Sequence, residues 1–136
     1  LKAAWEWAAL LGQVEVYGWR SLDISRNSMG EAGASALAEP LAGLTGLLRL
    51  DLGGNLVGPE GSLALSAPLA SLSALKILDL SRNSIGEVGA TALAGPLAGL
   101  TGLQQLDLGG NGITGKADVN LRAALSHIKG LDLWIS

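Results

Sequence analysis

The sequence predicts an α/β solenoid in which short parallel strands alternate with helices and each strand–helix coil stacks on its neighbours. Three observations carry the prediction. Asn27, Asn55, Asn83 and Asn111 stand 28 residues apart, and the same step links Leu22, Leu50, Leu78 and Leu106 as well as Asp23, Asp51, Asp79 and Asp107. Within each period the apolar pattern changes from alternation, which suits a strand, to an i, i+4 spacing, which suits a helix. A second period of about 56 residues overlies the first. The first and third repeats share S-R-N-S and P-L-A-G-L-T-G-L, whereas the second and fourth share D-L-G-G-N. Self-similarity of this kind marks a fold built by repetition.

Each element has its own justification. In Leu75-Lys76-Ile77-Leu78-Asp79-Leu80 an extended chain puts Leu78 and Leu80 on one face and Ile77 and Asp79 on the other. The Asn that follows offers a donor and an acceptor to backbone groups left unpaired where the strand turns away, so the four Asn form a ladder. Gly30 and Gly33, Gly58 and Gly61, and Gly86 and Gly89 allow a tight turn and a close approach of adjacent coils. An Ala-rich helix comes next, with Leu at 37 and 41, 65 and 69, 93 and 97, and 121 and 125. Glu31, Glu60 and Glu87 fall in the first turn, where a carboxylate meets the positive end of the helix dipole. Pro59 suits a first helical position, and Pro40, Pro68 and Pro96 should end or kink their helices because proline lacks the amide donor. Alone, no coil can bury its leucine face; stacked, the coils share one interior.

The strings L-x-x-L-D-L-x-x-N followed by G-x-x-G-x-x-x-L resemble leucine-rich repeats. Their length, their Ala-rich helix and their paired alternation are similar to the ribonuclease-inhibitor type, which also supplies the repeats of Ran GTPase-activating proteins and of nucleotide-binding innate immune receptors. The resemblance implies a right-handed β/α superhelix with a parallel inner sheet and outer helices, usually acting by binding another protein. The fourth repeat departs, with Thr114 and Ala117 in the glycine columns and no Pro, which puts the regularity of its helix in question.

The ends read differently. Residues 1–18 lack the motif, and Leu1, Trp5, Ala8 and Ala9 are read as the apolar stripe of a degenerate repeat or N-terminal cap. Residues 19–136 make the repeat domain, about four repeats and a partial one. Two registers are open for the last. A 25-residue step puts Asp132 in the aspartate column, whereas a 28-residue step gives Trp134 a strand leucine position. The chain stops within a strand and without a polar cap, which points to a piece of a longer array.

Composition excludes several chemistries. There is no Cys and one His, so neither a disulfide framework nor a Cys/His zinc site is expected. A net charge of −3 gives no basic footprint for nucleic acid or anionic lipid, and aromatic residues at 4% give no stacking platform. No uninterrupted apolar run is long enough for a membrane span. A row of carboxylates supplies too few convergent oxygens for calcium. His127, at a helix end, suits a cap or a solvated position better than a catalytic base. The G-G-N strings at 53–55 and 109–111 lack the lysine pattern of a phosphate loop.

What remains is a surface. The outward strand positions are Ser21, Arg49, Ile77 and Gln105 in one column and the four Asp in the next, with Arg26 and Arg82 just beyond. The candidate partner-binding face is therefore Asp23, Arg26, Arg49, Asp51, Ile77, Asp79, Arg82, Gln105 and Asp107. Its carboxylates serve either as a docking stripe for a basic or amide-rich partner or as consensus residues that keep the sheet soluble, partly neutralised by Arg26, Arg49 and Arg82. The expected function is a non-enzymatic, intracellular scaffold that binds a protein and needs no cofactor. The alternatives are regulation of a small GTPase, which the Ran-activator resemblance permits, and a purely structural repeat segment.

Overall fold

The computed structural model describes residues 20–136; the reading of 1–18 as a cap lies outside the described residues. Three-residue strands alternate with helices in the order β1 (Ser21–Asp23), α1 (Gly30–Ala42), β2 (Arg49–Asp51), α2 (Gly58–Ser71), β3 (Ile77–Asp79), α3 (Gly86–Ala98), β4 (Gln105–Asp107), α4 (Gly115–Leu125) and β5 (Asp132–Trp134). The strands form one parallel sheet in chain order. Leu22 faces Leu50, Leu50 faces Leu78 and Leu78 faces Leu106, so the leucine and aspartate columns stand in register. Each helix packs on the helix of the next coil and each strand on the next strand, with no longer-range element pairing among the described residues. The fold is a leucine-rich repeat solenoid of the expected α/β class.

Its core is a set of leucine columns. Leu50, Leu78 and Leu106 come from the strands, Leu37, Leu65, Leu93 and Leu121 from the helices, and Leu44, Leu72 and Leu100 from the returns, all of them buried. Burying one leucine is worth roughly 1.5–3 kcal/mol. No coil could bury these side chains by itself, because they form one continuous cluster that runs through all the described coils.

Helix entry shows how tightly the coils are bound to one another. Met29, Val57 and Ile85 occupy the N-cap positions and offer no side-chain cap. The next coil supplies the acceptors instead. Gly30, Gly58 and Gly86 each donate their N–H to the backbone carbonyl of the following coil's Asn, at 2.8 Å in all three cases. Those glycines have φ of +70°, +69° and +66°, a left-handed conformation that strains any residue with a Cβ. The fourth repeat carries Thr114 at this place, and the chain adapts. Thr114 stays extended, Gly115 takes φ +57°, and α4 begins one residue late but is otherwise regular.

The prolines act as stops with a short overrun. Pro40, Pro68 and Pro96 lie inside their helices, which end at Ala42, Ser71 and Ala98. Pro59 occupies the first turn of α2, as its fixed φ favours.

The last strand corrects both proposed registers. Leu106 faces Leu133, a step of neither 25 nor 28 residues, and Asp107 faces Trp134. Asp132 pairs with Gln105 and so lies outside the aspartate column. Gly130, at φ +72°, has no left-handed counterpart at Gly102, and this local turn accompanies the one-residue shortening. Among the described residues no helix is long and apolar enough to cross a membrane.

Two glycines with equal open space separate conformation from packing. A Cβ at Gly86 or at Gly95 would meet nothing within 4 Å. Gly86→Ala should cost about 1–2 kcal/mol because of its positive φ, whereas Gly95→Ala, in the interior of α3, should stabilise by about 0.5–1 kcal/mol. Urea unfolding of the two variants measures both, and equal signs would refute the conformational explanation.

Candidate functional site

The face of the sheet opposite the helices is built by alternation along three-residue strands. The central leucine of β1–β4 points inward, which sends its two neighbours outward. The result is two columns. Ser21, Arg49, Ile77, Gln105 and Asp132 form one; Asp23, Asp51, Asp79, Asp107 and Trp134 form the other. Adjacent members stand about 4.8 Å apart.

The aspartates have a local duty that their pattern alone does not disclose. Asp23, Asp51, Asp79 and Asp107 each accept, on Oδ1, the backbone N–H two residues on, from Ser25 (3.0 Å), Gly53 (3.0 Å), Ser81 (2.8 Å) and Gly109 (2.9 Å). This is an Asx turn, and it pins the chain as it leaves the strand. The Ser25 hydroxyl also donates to Asp23, at 2.7 Å. One oxygen of each carboxylate is thus held and its orientation fixed.

Electrostatics differ along the row. Hydrogen bonds from the Ser25 backbone and hydroxyl hold Asp23 below the usual carboxylate range, with Arg49 and Arg26 adding to the effect. Asp51 is pushed above it, first by burial and then by the like charges of Asp79 and Asp23. Neutralisation by arginine is therefore partial and local. Among the described residues the ion pair is Arg122–Asp118, at 2.7 Å on the outer side of α4.

Arg26 and Arg82 stand beside the columns, where they border depressions shared with Asp51 and Asp79 and with Asp107 and Trp134. Each leans across the glycine of the next coil, so that a Cβ at Gly54 would stand 3.2 Å from Cγ of Arg26, and one at Gly110 would stand 3.1 Å from Cγ of Arg82. Gly53 is equally confined, since a Cβ would stand 3.2 Å from Oδ1 of both Asp51 and Asp79. The alternation of Ser-Arg with Gly-Gly every second coil has this steric cause: one coil carries the bulk and the next makes room for it.

Of the candidate face, the structure brings together Arg49, Asp51, Ile77, Asp79, Gln105 and Asp107, which line a shallow depression of about 290 Å³ together with Asp132 and Trp134. Asp23 continues the column beyond it. A smaller depression of about 110 Å³ lies between Arg26 and Arg82 over Gly53 and Gly54. The sequence reading missed Trp134 as a face residue, because only the shortened last coil turns it outward; it is 60% exposed. His127 reaches the end of the preceding coil's helix, where its Nε2 is 2.8 Å from the carbonyl oxygen of Ala98. Among the described residues no three acidic or imidazole side chains converge on a centre that fits a metal ion.

A model of the family described as leucine-rich repeat matches residues 20–38, 72–94 and 100–117. The coils are leucine-rich repeats. The matched stretches contain β1, β3 and β4 and the starts of α1, α3 and α4, and thus the motif's strand, turn and helix entry. No curated protein matches the chain. In these leucine-rich repeats the aspartate column does two things at once, closing a backbone turn and charging an open sheet.

Charge and turn can be separated experimentally. Asp51→Asn keeps an oxygen for the Gly53 N–H but removes a charge that burial and its neighbours disfavour. The variant should be more stable than the parent at neutral pH. Because the folded carboxyl titrates above its ordinary value of 3.8, the parent loses stability as pH rises through that region. The variant's advantage should accordingly vanish once pH falls below the ordinary value, where Asp51 is protonated in both states. Thermal midpoints across the acid range test this, and a pH-independent difference would contradict it.

Proposed function

We propose that this protein is a non-enzymatic interaction module that docks a protein partner on the open face of its sheet. The observation that carries the reading is an all-parallel sheet with one face that no element among the described residues covers. Such sheets are ordinarily buried on both faces; here helices cover one, and the other presents Ile77 and Trp134 among charged side chains. Exposed apolar side chains rimmed by polar ones mark interaction surfaces. The face is also rigid, since every strand is tied to its neighbour and each aspartate to its own backbone, so little ordering is left to oppose association. The 28-residue steps and Ala-rich helices agree with the ribonuclease-inhibitor type of repeat.

A photo-crosslinking residue at the exposed Gln105 should capture a defined partner from cell extract, whereas the same residue at the exposed Val88 of α3 should not. Asp51→Asn combined with Asp79→Asn should weaken that capture without lowering the thermal midpoint. Equal capture from both positions, or capture indifferent to the two substitutions, would contradict docking on this face.

A further inference from the structure

The two columns are not uniform along the solenoid. Arg49 places a cation on β2, but the half of the face over β3–β5 has none: Ile77, Gln105 and Asp132 stand in one column and Asp79, Asp107 and Trp134 in the other. Arg82 leans over Gly110 at the edge of this half, where it borders a second depression of about 520 Å³ with Asp107 and Trp134 but forms no ion pair with the carboxylates. Three carboxylates and an exposed indole therefore border the same stretch of the depression, with Ile77 on its floor.

We propose that this half of the face seats a cationic side chain, arginine or lysine, from an extended segment of a protein partner. The inference rests on the reading of the open sheet as a docking face and adds the chemistry of its occupant.

Charge complementarity selects a cation: an anion would face three carboxylates and a neutral amide would forgo them. The carboxylates do not converge on a single centre fit for a metal ion, so the cation must be extended, with a charge that several carboxylates share. Arginine and lysine have that shape, and their aliphatic stems need an apolar wall. Ile77 and the Trp134 indole supply one, and the indole face in addition attracts a cation. Asp79 and Asp107 are already aimed, because each holds a backbone N–H on one oxygen, from Ser81 and Gly109. Among the described residues no protein donor engages the other oxygen. A charge-assisted bond to a guanidinium would use that oxygen. Like-charge repulsion between carboxylates on strands about 4.8 Å apart would be relieved by the same cation.

The test uses the full chain and three fluorescent peptides of equal length on a Gly/Ser backbone, bearing Arg, Gln or Glu at the same positions. The Arg peptide should bind about tenfold or more tightly than the Gln peptide, and the Glu peptide should not bind. Asp79→Asn with Asp107→Asn should weaken the Arg peptide by about tenfold. Trp134→Ala should weaken it by several-fold, and that loss should persist at about 0.15 M salt, where diffuse attraction is screened. Asp118→Asn removes a charge from the outer side of α4 and should change nothing. Three results overturn the cationic occupant: no binding of the Arg peptide, binding unaffected by the Asp79/Asp107 pair, or equal loss in Asp118→Asn. Tighter binding of the Gln or Glu peptide that Trp134→Ala abolishes would overturn the cation and leave the docking face standing. Arg-peptide binding insensitive to every substitution on the face would remove both.

Discussion

The whole structure depends on one side-chain amide per coil. Asn55 accepts the N–H of Asn27 on its Oδ1 at 2.8 Å, and its Nδ2 donates to the carbonyls of Ile24 (2.9 Å) in the preceding coil and Leu52 (3.0 Å) in its own. Asn83 and Asn111 repeat the pattern one coil on. They also reach the helix entry, at 3.3 Å from the N–H of Val57 and Ile85. Asn55 and Asn83 are completely buried, so each unmade bond would leave a stranded polar group costing about 1–3 kcal/mol. The turn from strand to helix exposes backbone groups that neither element satisfies, and the Asn of the same coil, the Asn of the next and the next coil's backbone carbonyls meet them.

That dependence explains the rest of the architecture. A helix whose N-cap is Met, Val or Ile can begin because its donors are met from outside the helix. Strands three residues long can form a sheet because the ladder beside them holds their register. The glycine three positions after each of the first three Asn is required because its N–H must reach the neighbouring Asn carbonyl from a left-handed turn. Where Thr114 breaks the column, the helix start moves rather than the ladder. The open face is a consequence of the same geometry: leucines and helices claim one side of every strand, and the other side is left to charge and to Trp134.

Much of this was legible in the sequence. The Leu22, Leu50, Leu78 and Leu106 column, the strand–helix alternation and the first-turn Glu residues follow from spacing, because side-chain direction in a strand and in a helix is set by period alone. Other features depend on three-dimensional partners that spacing does not disclose. The Asx turns of the aspartates need the position of an N–H two residues on. The leaning of Arg26 over Gly54 needs the distance between coils, although the paired Ser-Arg and Gly-Gly strings carried its trace. Trp134 was obscure for a different reason. Its outward direction follows from a one-residue shortening at a left-handed Gly130, and no local signal distinguishes that glycine from Gly102.

The most direct test of the central claim is native-state hydrogen exchange of the ladder amides, read by NMR. If each coil's polar groups are satisfied by the next, the N–H groups of Asn55 and Asn83 open only when the described coils unfold together. Their exchange should then match the global unfolding free energy and shift with denaturant at the global slope. Exchange of these amides through a local opening, with little denaturant dependence and far less protection than the buried leucine amides of β2 and β3, would contradict it.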